Sequence, residues 1–74
     1  MIKNRFRELL LEKAAQNERR NIPLLEVSRE TNLTTKTLYA WDDNSISRYD
    51  ASSIEALCKY FNCDIGDLLM LQKN

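Results

Sequence analysis

The chain has 74 residues, of which 43% are hydrophobic and 30% are charged, with one glycine and one proline. A chain of this length buries roughly 60% of the surface that its unfolded form exposes, which argues against a deep catalytic cleft. Its 11 basic and 11 acidic side chains cancel, which argues against a strong nonspecific attraction to nucleic acid but does not exclude a local basic face.

The first predicted element is an amphipathic helix over residues 3 to 17. Its apolar residues recur at helical spacing on one face, and charged residues take the other face. The apolar face comprises Ile2, Phe6, Leu9, Leu10 and Ala14. The helix carries acidic residues on its charged face, which a signal peptide does not. No apolar run in the chain approaches the roughly 20 residues that a membrane span needs. We therefore expect a cytoplasmic protein without a membrane partner.

A second, short helix is predicted over residues 23 to 30. Pro23 fits its first turn because proline has a fixed φ and no amide hydrogen to leave unpaired. The chain then reverses in a tight turn over residues 31 to 33. Asn32 suits this turn because asparagine tolerates the left-handed conformation that ends a helix.

A third helix is predicted over residues 35 to 42. Thr34 precedes it, and a threonine hydroxyl at this position accepts hydrogen bonds from the first amides of a helix. Leu38 and Trp41 are three positions apart and form its buried stripe. The two short helices and their turn therefore make a helix-turn-helix arrangement.

Two more helices are predicted over residues 51 to 61 and 65 to 71, and no sheet is expected. Asp50 is a favourable N-cap for the first of them. Apolar residues of that helix fall at i, i+3, i+4 and i+7, namely Ile54, Leu57, Cys58 and Phe61. Asp64 with Asp67 three positions later resembles a capping box for the second. The predicted core of the five helices is Phe6, Leu9, Val27, Leu33, Leu38, Trp41, Ile54, Leu57, Phe61 and Leu68.

Two segments of the chain carry a family pattern. The first consists of Val27, Ser28, Asn32, Leu33, Thr34, Thr35, Lys36, Thr37 and Leu38. The second is DASSIEALCKYFNCDIGDLL, residues 50 to 69. Together they resemble the phage repressor and Cro family of helix-turn-helix proteins, also called the XRE family. The resemblance implies an all-α, compact five-helix domain over residues 1 to 74, with its turn near residues 31 to 33 and its recognition helix near residues 35 to 42.

The resemblance also implies sequence-specific binding of double-stranded DNA by a small transcriptional regulator, with the third helix in the major groove. The residues it places at the DNA are Thr34, Thr35, Lys36, Thr37, Tyr39, Ala40 and Arg48. Lys36 can donate to guanine O6 or N7, and Ala40 can touch a thymine methyl group. Thr37 either contacts a phosphate or supports the helix. A homodimer would bring two recognition helices to successive major grooves.

Three departures from the family pattern favour an alternative. Leu24 and Asp43 stand where many members carry an amide side chain that holds a phosphate, and neither can donate a hydrogen bond from its side chain. Between residues 34 and 49, two basic and two acidic side chains cancel. Asn44 replaces the usual glycine. The alternative is a helix-turn-helix protein-interaction module, antitoxin-like or a co-regulator, with weak or lost DNA binding and a protein partner at Leu24 and Leu25.

The two acids that end the third helix have separate expected roles. Asp42 occupies a position where family members commonly carry an acid, and we expect it to turn sideways toward a basic side chain. Asp43 is expected to accept hydrogen bonds from amides of the DNSIS segment, residues 43 to 47, or from Arg48. On this interpretation Asp43 serves the connector and does not choose a partner.

No enzyme is expected, and no metal, cofactor or small-molecule substrate. The chain has no histidine, and it offers neither a glycine-rich loop nor a nucleophile beside a base. Cys58 and Cys63 are too few soft ligands for a zinc site. We expect them to be reduced, buried and separate.

Overall fold

A computed structural model of the chain describes residues 1 to 72 and shows five helices and a small antiparallel sheet within that range. The elements in chain order are β1 (Ile2–Asn4), α1 (Phe6–Gln16), α2 (Leu24–Thr31), α3 (Thr35–Asp42), α4 (Ala51–Phe61), α5 (Ile65–Leu68) and β2 (Leu69–Leu71). The last two residues of the predicted domain, 73 and 74, lie outside the described residues. No described helix is long and apolar enough to cross a membrane.

The prediction of five helices is confirmed, but the prediction that the chain has no sheet is wrong. Strands β1 and β2 pair antiparallel, with Ile2 opposite Leu71, Lys3 opposite Met70 and Asn4 opposite Leu69. Consequently α1 begins at Phe6 instead of near residue 3, and α5 ends at Leu68 instead of near residue 71. Three-residue strands are too short to show a period in the sequence, and each forms only because the fold brings a distant segment beside it.

The core lies where the helices meet. Its buried apolar residues are Phe6, Leu10, Ala14, Ile22, Val27, Leu38, Trp41, Leu57 and Leu68. Four residues of the predicted core are only partly buried against this cluster, namely Leu9, Leu33, Ile54 and Phe61. In α1 the innermost stripe is Phe6, Leu10 and Ala14, which follow one another at i, i+4 and i+8, and Leu9 lies at its margin.

Side-chain caps set the limits of α4 and α5 as predicted. Asp50 accepts hydrogen bonds at Oδ2 from Ser52 Oγ at 2.6 Å and from Ser53 N at 3.0 Å. These bonds, the one from Ser52 first, lower the pKa of Asp50 to about 2, because they favour the ionised carboxylate. At the start of α5, Asp64 N donates to Asp67 Oδ2 at 3.2 Å in the predicted capping box.

Candidate nucleic-acid interface

The turn between α2 and α3 is held by side chains of α2. Asn32 ends α2 in the left-handed conformation, with φ of 62°, and its N–H donates to Ser28 O at 2.8 Å. Ser28 Oγ donates to Leu33 O at 2.5 Å. Thr31 Oγ1 donates to Val27 O at 2.7 Å and accepts from Leu33 N at 3.3 Å. These bonds satisfy the polar groups of the reversed chain and so fix the direction in which α3 leaves the turn.

Thr34 forms the start of α3. Its Oγ1 accepts from Thr37 N at 3.2 Å and donates to Thr37 Oγ1 at 3.0 Å. The Thr34 hydroxyl is therefore engaged in capping the helix, and the Thr37 hydroxyl lies beside it on the first turn of α3.

The inner face of α3 anchors the helix in the core. Leu38 and Trp41 are completely buried. The Trp41 ring meets Tyr49 edge to face, with centroids 5.0 Å apart and an interplanar angle of 80°. Trp41 Nε1 has no hydrogen-bond partner among residues 1 to 72. This packing holds α3 by two large side chains and turns its opposite face outward.

The outward face of α3 brings together four of the residues predicted to contact DNA. Lys36 and Tyr39 are exposed, and Tyr39 is the more prominent aromatic group at 63% exposure. Thr35 and Ala40 are partly exposed beside them. The four positions occupy one side of the helix because residues one and four apart fall on adjoining parts of a helical surface.

Lys36 and Arg48 are the basic residues predicted at this interface, and neither is in an ion pair within the described part of the chain. The ion pairs there join Arg5 to Glu8 and Arg19 to Glu26, each at 2.8 Å. Arg48 is exposed on the connector between α3 and α4. Both cations therefore keep their donors available for an incoming anion.

Asp43 holds the connector that follows α3. Its Oδ1 accepts from Ser45 N at 2.9 Å, which is one of the two arrangements expected for this residue. Hydrogen bonds from Ser45, from its side chain first and then from its backbone, lower the pKa of Asp43. No ion pair with Arg48 is formed. Asp43 is therefore a charged, exposed acid with a local structural role.

Asp42 lines a cleft of about 260 Å³ together with Arg7 and Tyr39. The carboxylate and the guanidinium share this cleft, but they do not approach within the 4.0 Å of an ion pair. Asp42 thus lies on the side of the domain where Arg7 also lies, but the two side chains form no ion pair.

A polar network at the end of α3 was not predicted. Asn44 is left-handed, with φ of 58°; its Oδ1 accepts from Asn4 N at 2.8 Å and its Nδ2 donates to Asn4 O at 3.3 Å. Asn4 is buried, and its own side chain accepts from Phe6 N at 3.0 Å and donates to Tyr49 OH at 3.3 Å. The network ties β1 to the connector that follows α3, across 40 positions of sequence, and no local sequence signal exists for such a contact.

The pair predicted as a protein-binding patch is divided by the structure. Leu24 packs against the core, whereas Leu25 is 55% exposed. A single exposed leucine is ordinary on a protein surface. Between residues 1 and 72, no group of three or more His, Cys, Asp or Glu side chains is placed to hold a metal ion.

Two helices joined by a side-chain-locked turn, the second with a polar outward face, define a helix-turn-helix domain. The chain belongs to the family of the Cro/C1-type HTH DNA-binding domain, whose model matches residues 18–74, well over half of the chain. DNA is therefore the class of partner that the family indicates. The match begins after α1, so β1 and α1 lie outside it. Comparisons with curated proteins and with solved structures give no match.

Proposed function

We propose that this protein is a small transcriptional regulator that binds specific double-stranded DNA sequences by placing α3 in the major groove. The observation that carries the proposal is the outward face of α3, where Lys36 is exposed beside Thr35, Tyr39 and Ala40 and has no ion pair among residues 1 to 72. A helix in the major groove reads sequence through side chains on its first turns.

Each of these side chains matches a feature of a base edge. Lys36 can donate to guanine O6 or N7, and Thr35 can use its hydroxyl group or its methyl group. Ala40 is small enough for contact with a thymine methyl group. Tyr39 combines an exposed ring with a hydroxyl group and so reaches furthest from the helix. The combination favours a mixed site containing both guanine and thymine.

Contacts to phosphates would hold the helix in register without reading sequence. Thr37 carries a partly exposed hydroxyl group on the first turn of α3, which can donate to a phosphate oxygen. The first amides of α3 also point out of its N-terminus, where the helix dipole attracts an anion. Arg48 supplies a charged donor from the connector.

The balanced charge of this region limits its electrostatic attraction to DNA. Each cation that neutralises a phosphate contributes about 0.9 to the slope of log affinity against log salt concentration. Lys36 and Arg48 together therefore give each copy of the chain a slope of about 2 from this region at most. We expect weak nonspecific binding and an affinity that depends mainly on the base contacts of α3.

The experiment that tests the proposal begins with selection of bound fragments from a genomic DNA library at low and moderate salt. Lys36→Ala should then weaken binding of the selected site by about 1 to 3 kcal/mol and relax preference at one base pair, because a base-edge donor carries sequence information. Lys59→Ala is the matched control, since Lys59 is an exposed lysine on α4. Equal effects of the two substitutions would show that α3 does not read the site.

Asp43→Asn separates DNA binding from the alternative of a protein-interaction module. Asparagine keeps the oxygen that accepts from Ser45 N, so the connector should be preserved, while the negative charge is removed and a donor is added. Affinity should rise similarly on all DNA sequences with an unchanged salt slope, because a neutral amide releases no counterion. Absence of any selected DNA, together with loss of a protein complex in Asp43→Asn, would identify α3 as a protein-binding surface instead.

A further inference from the structure

Asn4 is a polar residue of β1 that is buried, with 6% of its surface exposed. Its backbone N–H and C=O groups both bond the Asn44 side chain. Its own side chain accepts from Phe6 N at 3.0 Å and donates to Tyr49 OH at 3.3 Å. A buried polar residue destabilises a fold unless its groups are bonded, whereas a fully bonded network fixes one arrangement of the segments that it joins. Asn4 therefore fixes where Asn44 and Tyr49 lie relative to β1.

Asn44 and Tyr49 enclose the part of the connector that carries Arg48. Asn44 stands at the start of this segment, Arg48 stands near its end, and Tyr49 directly follows Arg48. Both enclosing residues bond the same residue of β1. The segment from 44 to 49 is therefore an arch that Asn4 ties at both ends.

The two halves of this arch differ in how they are held. Ser45 N and Ile46 N both donate to Ala40 O, at 3.0 Å and 3.3 Å, and Ile46 packs against the core. Ser47 and Arg48 are exposed and make no hydrogen bond among residues 1 to 72. The second half has no anchor of its own, so the position of Arg48 follows from the residues on either side of it.

Tyr49 relates Arg48 to α3 as well as to β1. Its ring packs edge to face on Trp41 of α3, with centroids 5.0 Å apart, while its hydroxyl group accepts from Asn4. Trp41 is completely buried and so gives Tyr49 a fixed contact on the inner face of α3. Removing the bond from Asn4 would leave the Tyr49 ring held on one side only.

Arg48 matters because cations are scarce in this region. Between residues 34 and 49 the basic side chains are Lys36 and Arg48, and Asp42 and Asp43 cancel their charge. Without a phosphate contact from Arg48, the slope of log affinity against log salt concentration from this region falls from about 2 to about 1. A cation on a fixed backbone also loses less conformational entropy on binding than one on a loose connector. The position of Arg48 thus decides about half of the electrostatic contribution of this region.

We infer that Asn4 is a positioning residue for DNA binding, because its ties to Asn44 and Tyr49 hold Arg48 where the guanidinium meets a DNA phosphate while α3 lies in the major groove. Asn4 itself touches no DNA. This inference rests on the proposed function and adds to it a residue of β1, a strand that lies outside the family match over residues 18–74.

Two uncharged substitutions test the inference. Asn44→Gly and Tyr49→Phe together, which we call the untied variant, remove both ties to Asn4 and leave every charge in place. Binding of the unmodified chain and of this variant is measured across salt concentrations on the DNA site selected from the genomic library. The untied variant should lower the salt slope by about 0.9, as Arg48→Ala does, because only a cation that meets a phosphate contributes to it. Its affinity at moderate salt should fall about five- to tenfold.

A double-mutant cycle shows which cation the ties serve. Adding the untied substitutions to Arg48→Ala should weaken binding further by less than about twofold, because the contact that they control is already lost. Adding them to Lys36→Ala should weaken binding by the full five- to tenfold. The base preference that depends on Lys36 should stay unchanged in the untied variant. A purely structural role of Asn4 would weaken binding equally in both backgrounds.

Tyr60→Phe is the matched control for Tyr49→Phe. The Tyr60 hydroxyl group is buried in the body of the domain and has no hydrogen-bond partner among residues 1 to 72. Its removal should change neither affinity nor salt slope. Tyr49→Phe alone keeps the Asn44 tie and the contact with Trp41, so it should fold and show a smaller change in the same direction. Trp41 fluorescence verifies that each variant is folded at the temperature of the binding measurement.

A measurement without DNA tests the positioning step by itself. Backbone ¹⁵N relaxation reports the order of the Ser47 and Arg48 amides in the free chain. Their order parameters should lie near the value of about 0.85 for rigid backbone, and in the untied variant they should fall toward about 0.6. The amides of α3 should keep their order in both proteins, because Leu38 and Trp41 still anchor that helix.

Three results would overturn the inference. The first is a salt slope that the untied variant leaves unchanged, and the second is an equal loss of affinity in the Arg48→Ala and Lys36→Ala backgrounds. The third is an Arg48 amide as well ordered in the untied variant as in the unmodified chain. A selection that yields no DNA site removes the proposed function and this inference together, whereas a selected site with any of these three results removes this inference alone.

Discussion

Replacing Asn44 by glycine separates the two functions of that residue, its left-handed backbone and its bonds to Asn4. Glycine adopts the φ of 58° without strain, but it has no side chain to bridge β1. The lost bond to Asn4 N, made at 2.8 Å, leaves a partly buried donor unpaired, which costs about 1 to 3 kcal/mol. Glycine also relieves the strain of the left-handed backbone, which offsets part of this free-energy cost. We therefore expect Asn44→Gly to lower the free energy of unfolding by about 1 to 2 kcal/mol.

Asn44→Ala should be worse than Asn44→Gly. Alanine loses the same hydrogen bonds and also places a Cβ in the left-handed region, which adds about 1 to 2 kcal/mol. Asn62→Gly is the matched control, because Asn62 is left-handed, with φ of 53°, but makes no side-chain hydrogen bond among the described residues. That substitution should change stability by less than about 1 kcal/mol.

Urea denaturation followed by tryptophan fluorescence measures these differences, since Trp41 is the only tryptophan and is fully buried. The expected order of stability is the unmodified chain, then Asn44→Gly, then Asn44→Ala. A loss of 1 kcal/mol corresponds to a shift of about 4 to 8 °C in melting temperature for a domain of this size. An Asn44→Gly variant as stable as the unmodified chain would show that position 44 requires only the left-handed backbone and that its bonds to Asn4 add no stability.

Three further predictions concern the core, the α4 cap and the thiols. Trp41→Ala should cost about 3 to 5 kcal/mol, and a denaturation shift below about 1 kcal/mol would contradict its place in the core. The pKa of Asp50 is about 2, below its ordinary 3.8, so its contribution to stability is complete above about pH 4 and is lost as the pH falls toward 2. Asp50→Asn should abolish this loss of stability in thermal melts recorded between about pH 4 and pH 2. An unchanged dependence of stability on pH in that range would contradict the role of Asp50 as the cap of α4. Burial, and to a smaller extent Cys58, raises the pKa of the Cys63 thiol to about 11. A Cys58→Ser variant should therefore react slowly with a thiol reagent at pH 7 and faster toward pH 11. Rapid labelling of this variant at pH 7 would contradict the raised pKa of Cys63.

The bounds of α3 and α4 could be predicted closely because the sequence features that determine them lie within or next to each helix. Helix α3 spans Thr35–Asp42 and α4 spans Ala51–Phe61, as the sequence indicates. In both cases a capping residue, Thr34 or Asp50, stands directly before an apolar stripe with helical period. The outward face of α3 follows from the same stripe, since the side opposite Leu38 must meet solvent. Local capping and periodicity therefore fix the geometry of the candidate interface.

Other features of the fold could not be predicted because they depend on contacts between residues that are distant in the sequence. The buried Asn4 meets Asn44 only in the folded chain, and a buried asparagine has no signature in a sequence of this kind. Ile22 is a core residue although it lies in a polar connector between two helices. Cys58 and Cys63 are free, as predicted, but the expectation that both are buried is wrong, because each is only partly buried.

The pairing of β1 with β2 also determines the order in which the chain folds. The strands join residues 2 to 4 with residues 69 to 71, so their contacts are the most distant in the sequence, whereas α2, its turn and α3 close over a few residues. Loop closure over a long segment is slow and loses more chain entropy than local turn formation. The sheet should therefore form after the helix-turn-helix unit and open before it. Brief openings of the native chain would release β2 from β1 while α3 keeps its shape.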